Sequence, residues 1–382
     1  MNKRYSNMEL LRIIAMLMII AHHIFAHCIN VQLTDLQSIT KLGNGWYCYP
    51  QFSKKLCMLT VFSPMGQVGN AIFIIISGYF MAHKESIDLT KIAKKLLLQL
   101  GFASIVLGLA SIYAYQNITE FPIKLLSFNL FNWMSWYAGY YFVVIVIAKI
   151  FLNKFLSKLD RNNYVMFMVV LFALVQFSWS TKLISSLAEG LEIVCTGIFL
   201  YSLGGYIKKY NPFEAIRLWA VMAIIVVMNL MVMGDFYIKT ASKILEYDPD
   251  SGSRFIQSVP GYANNQILPI ILGISTFELF RRMKVPSNRI VNFAGASTFM
   301  VYLLHDNEFV YKLWGTQDWL TLLHENSIQF SFTYAIWILG TFGAGGGVLL
   351  YICDRWEAIK YLQTFSNKTA KADIKGKPVL AR

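Results

Sequence analysis

The sequence predicts an all-α, polytopic membrane protein with about ten transmembrane helices and both termini in the cytoplasm. Apolar residues make up 56% of the 382 and charged residues only 14%, and the mean hydropathy is +0.49. Stretches of about 20 apolar residues, the length needed to cross roughly 30 Å of hydrocarbon, recur along the chain. Lysine and arginine gather in every second connection between them. No soluble domain of useful size fits between these stretches.

The spans are expected at roughly 10–29, 60–82, 96–115, 133–152, 164–181, 188–207, 215–237, 262–281, 290–311 and 329–352. Basic residues cluster at Lys3 and Arg4, at Lys84, Lys91, Lys94 and Lys95, and at Lys154, Lys158 and Arg161. They cluster again at Lys208 and Lys209, at Arg281, Arg282, Lys284 and Arg289, and after Arg355. These alternate connections are assigned to the cytoplasm of a multi-pass protein of the cell (plasma or inner) membrane. By contrast, the external connection 235–261 offsets Lys239, Lys243 and Arg254 with Asp235, Glu246, Asp248 and Asp250. The net charge of +13 thus follows topology; no nucleic-acid partner is expected, while anionic lipids suit the basic inner surface. Residues 1–355 are read as the membrane unit and 356–382 as a short basic cytoplasmic tail.

The first span carries Arg12, His22, His23 and His27 within an otherwise apolar run. It is longer than a signal-peptide core and no small-residue cleavage site follows, so it reads as a retained span. Eleven steps of 100° bring His23 to within about 20° of Arg12 at a rise of about 16.5 Å, and His27 stays within about 40° of His23. Ionisable side chains in a span cost roughly 2.5–3.5 kcal/mol on insertion scales, so they face a protein interior or a wet cavity and mark a site. A plain anchor has no need of them.

In the second span, Gly66, Gly69, Asn70, Ser77 and Gly78 place small and polar residues at both ends. Close helix packing is the expected role of the glycines, whereas Asn70 at mid-depth needs a polar partner. Lys91, Lys94 and Lys95 precede the third span as either interfacial anchors or a docking surface for phosphates. The ninth span sets Tyr302 and His305 three apart and ends in His305-Asp306-Asn307. Glu192, about one turn inside the outer end of span six, with Glu189 above it, is a carboxylate that His305 could meet for acid–base work. Zinc is the rival use of these histidines, since His23 and His27 have i,i+4 spacing, but no H-E-x-x-H or cysteine pair supports it and no metal is expected. The five cysteines show no CxxC pattern, and a Cys48–Cys57 disulfide is an open option on the outer side. There is no internal repeat of the kind that builds many transporters.

Four motifs in order resemble the acyltransferase-3 family of integral membrane acyltransferases, over about residues 5–355. Glu9, Arg12 and His23 are similar to its first-span pattern, and the ten-residue gap selects His23 over His22. Val68 to Ser77-Gly78-Tyr79 resembles its apolar run ending in Ser-Gly-Tyr, Ser135-Trp136-Tyr137 the start of its fourth span, and Ser297 to Tyr302-Leu-Leu-His305 its late signature. Two departures are visible. Lysines 91, 94 and 95 stand where many members carry arginines, which puts bidentate phosphate recognition in doubt. Tyr137-Ala-Gly-Tyr-Tyr replaces the Ser-Leu-x-x-Glu-Glu run of one large branch and brings the chain nearer the capsular and exopolysaccharide O-acetyltransferases.

The resemblance implies transfer of an acyl group, acetyl being expected, from cytoplasmic acyl-CoA to a hydroxyl of a cell-surface polysaccharide or its lipid-linked precursor. It implies that Arg12, with Lys91, Lys94, Lys95 and Ser77, holds the donor and that His23, with Glu9 and His305 in the catalytic group, serves the proton transfer. Glu192, Tyr302, Trp136 and Asn70 are then expected on the acceptor side, with membrane lipids as neighbours and a homo-oligomer as an open option. The rival from another class is a lipid-linked sugar flippase or small-solute transporter, which also needs polar residues around a cavity but gives no reason for the Arg12–His23 spacing. A third is a catalytically idle partner in a polysaccharide assembly complex.

Overall fold

A computed structural model describes residues 5–34, 50–84, 86–117, 136–176, 185–241 and 261–348, and among these all regular structure is helical. The chain opens with α1 (Ser6–Ile24), which runs on through a π-helical turn (Phe25–Ile29) and Asn30–Thr34. There follow α2 (Pro50–Leu59), α3 (Met65–Met81), α4 (Leu89–Asn117) and α5 (Trp136–Ile147). A second π-helical turn (Ala148–Leu152) extends α5 into Asn153–Lys158. Next are α6 (Arg161–Gln176), α7 (Ser185–Tyr210), α8 (Leu218–Phe236), α9 (Ile267–Arg282) and α10 (Arg289–His305). Two short helices, α11 (Glu308–Gly315) and α12 (Trp319–Glu325), precede α13 over 327–348.

Six helical stretches are long and apolar enough to cross a membrane: Ser6–Leu33, Lys54–Met81, Leu89–Ala110, Trp136–Lys158, Leu191–Tyr210 and Leu218–Lys239. Three shorter helices, α6, α9 and α10, and the 22-residue α13 lie at the other four expected positions. Exposed apolar side chains recur at helical intervals on α6 and α13; on α13, Ile328, Phe332, Ile336 and Leu339 are all at least 60% exposed. The acidic part of the expected external loop, the tail after Arg355, Ser135 and the Cys48 half of the disulfide option lie outside the described residues.

At the centre of the bundle is α3, packed against α1, α7 and α9. Its glycines make that closeness feasible. A Cβ on Gly69 would stand 2.7 Å from the Ala15 carbonyl oxygen, one on Gly78 1.9 Å from that of Tyr201, and one on Gly204 of α7 2.2 Å from that of Ile75. Backbone atoms cannot yield as side chains can, so the packing role expected of these glycines is the one they play.

Polar clamps close the end where the basic connections lie. Glu278 receives Arg281 at 2.7 Å and Arg282 at 2.5 Å, while Arg281 also reaches Asn211 Oδ1 at 2.5 Å. Asn7 donates to the carbonyls of Phe280 and Arg281 at 3.2 Å, satisfying the end of α9. At the other end, the connection expected at 312–328 folds into α11 and α12, each started by a cap: Asn307 accepts from Val310 N and Asp318 from Thr321 N. Lys55 of α2 donates to the carbonyls of Leu323 and His324 at 3.0 and 2.8 Å, and Trp314 and Trp319 are fully buried there.

Gly78→Ala therefore overpacks an immovable contact and is expected to lower stability by about 1–3 kcal/mol, seen as a depressed melting temperature in detergent. Gly101→Ala, facing open space on α4, is the control and leaves the melting temperature unchanged or raises it.

Candidate functional site

The site is assembled on α1, whose unbroken helical hydrogen bonding from Ser6 to Ile24 keeps Arg12 and His23 on one face. Near its start, Glu9 is buried and holds Arg12 Nη1 through both carboxylate oxygens, at 3.1 and 3.2 Å. Gly295 of α10 makes room for this pair, since a Cβ there would lie 2.4 Å from Glu9 Oε2. Arg12 is thus tethered at one nitrogen while about a third of its side chain stays accessible.

Three turns further along, His23 Nδ1 lies 3.0 Å from His305 Nε2, with the rings nearly parallel. The proton placement follows from the next link. His305 Nδ1 is 2.9 Å from the Val301 carbonyl oxygen, which only accepts, so His305 carries its proton on Nδ1 and, while neutral, accepts at Nε2. His23 must then donate from Nδ1, and its Nε2 holds the lone pair. Asp306 Oδ1 stands 3.7 Å from that same His23 Nδ1 and accepts a hydrogen bond from the hydroxyl of Tyr311. The π-helical turn after His23 carries His27, which stacks on Tyr311 at 4.0 Å. His22 instead packs against Gly66, with Nδ1 3.3 Å from the Phe62 carbonyl.

Two cavities meet at this face. The larger, about 280 Å³, extends from Arg12, Ser77 and Lys95 past Gln99 to Tyr137 and Tyr302. The smaller, about 140 Å³, is bordered by His23, Gln67, Asn70, Trp136 and Asp306. Both are lined by Ile19, Tyr137 and Tyr302, and Tyr137 N donates to the Tyr302 hydroxyl at 3.3 Å. Each cavity is also lined by a glutamine whose side-chain oxygen is buried without a partner, Gln99 Oε1 beside the larger and Gln67 Oε1 beside the smaller. An unpaired buried acceptor costs about 1–3 kcal/mol, so each wants a donor from a ligand or water.

The expected site residues are therefore partly gathered. Glu9, Arg12, Ser77 and Lys95 border or brace the larger cavity, and His23, Asn70 and Trp136 line the smaller, with His305 braced behind His23. Lys91 and Lys94 are exposed and line neither cavity. Glu192 accepts from Asn265 Nδ2 at 2.8 Å and lines neither cavity; its partner is Asn265, not His305. The side chain of Glu189 is not among those described. Sequence reasoning gave no role to Gln67, Gln99, Tyr137 or Asp306. The available signal was an amide inside an apolar run, as in Leu96-Leu-Leu-Gln99-Leu, but amides in spans often serve packing alone. Among the described residues, no three His, Cys, Asp or Glu side chains converge in a way that could hold a metal ion.

A bundle of helices, six of them long and apolar enough to cross a membrane, with paired imidazoles and two cavities along its first helix, defines a helical membrane protein. The chain belongs to the acyltransferase-3 family: the family model described as an acyltransferase domain matches residues 5–363. It is thus an acyltransferase of the membrane. No curated protein and no solved structure matches it.

The tautomers can be read by solid-state ¹⁵N NMR on histidine-labelled protein. Three rings, His22, His23 and His305, are expected with the proton on Nδ1. His23→Phe should remove one such signal and keep those of His22 and His305, whereas His305→Phe should remove one and release His23 from its fixed tautomer. A His23 ring protonated on Nε2 in the unaltered protein would contradict the assignment.

Proposed function

We propose that the protein moves an acyl group, acetyl being the expected one, from cytoplasmic acyl-CoA to a hydroxyl of a cell-surface polysaccharide or its lipid-linked precursor. The observation that carries this reading is that Ile19, Tyr137 and Tyr302 line both a cavity with a cationic mouth and a chamber bordered by His23. Arg12 and Lys95 suit the phosphates of the donor, with the exposed Lys91 and Lys94 adding positive field outside. Gln99 suits an amide N–H of an extended pantetheine arm. On the acceptor side, Gln67 and Asn70 suit sugar hydroxyls, with Trp136 offering an apolar ring face.

The reaction then follows from the lone pair on His23 Nε2. That nitrogen removes the proton of the acceptor hydroxyl as its oxygen bonds to the thioester carbonyl carbon, and the C–S bond breaks as the carbonyl re-forms. His23 passes the proton to the departing thiolate and returns to its starting form. While His23 is charged, its Nδ1–H still points at His305, and Asp306 at 3.7 Å offers the compensating negative charge. Nothing need be covalently attached to the enzyme.

The test is acyl-CoA-dependent transfer by purified protein in nanodiscs, with mass spectrometry of surface glycans from cells with and without the gene. His23→Ala is expected to abolish transfer, by at least the 10²–10⁴-fold typical of a lost general base, while His22→Ala retains most activity. Lys95→Gln should raise KM for the donor with kcat little changed, because ground-state and transition-state binding lose equally. Arg12→Ala should depress both. Glycans of unchanged mass despite substrate crossing the membrane would support the transporter instead.

Ten spans with cytoplasmic termini belong to the same proposal. A cysteine at Lys158 is expected to resist an impermeant thiol reagent added outside intact cells and one at Tyr237 to react, against a background without native cysteines. Equal labelling of the two would overturn that topology.

A further inference from the structure

A third cavity, of about 690 Å³, lies away from the reaction path, and Lys84, Lys149, Lys154 and Lys209 all line it. All four are exposed, and together they give the cavity a positive field that favours an anion. Among the described residues none of the four has a carboxylate within 4.0 Å. The described acids flanking this wall in sequence are engaged elsewhere, Asp88 capping Lys91 N at 2.9 Å and Asp160 capping Asn163 N at 2.8 Å. Only Lys209 has a described partner, the Leu159 carbonyl at 3.3 Å and the face of Tyr210. Lys149 is the telling member, because it falls inside the expected span 133–152 and in the π-helical turn Ala148–Leu152. Three residues from the cytoplasmic end of that span, its ammonium is within reach of a headgroup at the interface, and π-turns inside helices often mark functional sites.

We propose that this cavity binds the phosphate headgroup of an anionic membrane lipid. What favours a lipid over a soluble phosphate compound is the apolar surface beside the lysines. Ile150, itself part of the lining, is 61% exposed, and Phe151 and Phe155 on the same stretch are 56% and 45% exposed. A headgroup held by the lysines leaves its acyl chains against these side chains, within the hydrocarbon. A soluble phosphate has no use for them. Basic pockets between helices at the cytoplasmic side bind anionic headgroups in this way.

The full-length protein, delipidated in detergent, is titrated with dimyristoyl phosphatidylglycerol, with the matching phosphatidylcholine and, separately, with inorganic pyrophosphate, and adducts are counted by native mass spectrometry. One phosphatidylglycerol per chain is expected, without a phosphatidylcholine counterpart. The double variant Lys149→Gln/Lys154→Gln should weaken it roughly thirtyfold at low salt, about fivefold per lysine. Unchanged elution volume and melting temperature in lipid-free detergent certify the variant's fold; if it fails that check, Lys84→Gln in the connection between α3 and α4 is measured for its fivefold share. Equal retention of the two lipids, or an unchanged affinity in the folded variants, overturns the proposal. Lysine-dependent binding of pyrophosphate tighter than that of the lipid also overturns it, in favour of a soluble phosphate ligand. No acyl transfer is measured, so failure here leaves the proposed reaction standing, and loss of the reaction leaves this site standing.

Discussion

Everything in the site depends on how closely α3 lies against its neighbours. In lipid, helices gain little from hydrophobic burial, so contact has to come from backbones that approach until van der Waals and polar contacts are made. Gly69 lets α3 settle against the Ala15–Ile19 stretch of α1, and Gly78 with Gly204 brings α3 and α7 to backbone contact. Gly66 does the same for His22, which fixes the rotation of α1 at the depth where His23 must turn toward α10. A methyl group at any of these positions would force the neighbouring helix or side chain to shift.

On that frame the polar groups separate by depth. The Glu278 clamp and the Glu9–Arg12 pair sit near one end, where most of their charge is neutralised locally. The imidazole pair, Asp306 and the tyrosine that bonds it sit further along, beneath α11 and α12 and the buried Trp314. Between the two levels the cavities are lined by aromatic and apolar side chains interrupted by Ser77, Gln99, Gln67 and Asn70.

A single tethered guanidinium gives the larger cavity its polarity. Glu9 occupies one nitrogen of Arg12 and leaves the rest of the fork free, so the cation is oriented without being neutralised by a second acid. The unpartnered amides of Gln99 and Gln67 extend that logic inward: each is a buried acceptor whose energy is recovered only when a donor arrives. Tyr137 and Tyr302, themselves hydrogen-bonded, line both chambers.

Much of this was legible in the residue order, and the division has a physical cause. Helical periodicity is a local property, so the sequence by itself determined the all-helical membrane class and the shared face of Arg12 and His23. Glycine's lack of a side chain is equally local, and the packing role of Gly66, Gly69 and Gly78 could be read at once. Partnership between residues far apart is not local. His23 and His305 lie 282 positions apart, and only the packing of α1 on α10 brought their nitrogens to 3.0 Å. The same packing sent Glu192 to Asn265, left Lys91 and Lys94 outside the cavities, and turned Gln67 and Gln99 inward. Which proton sits on which ring was settled last, by the Val301 carbonyl one helical turn away. That choice needed both the α-helical hydrogen-bond geometry of α10 and its tertiary neighbour on α1.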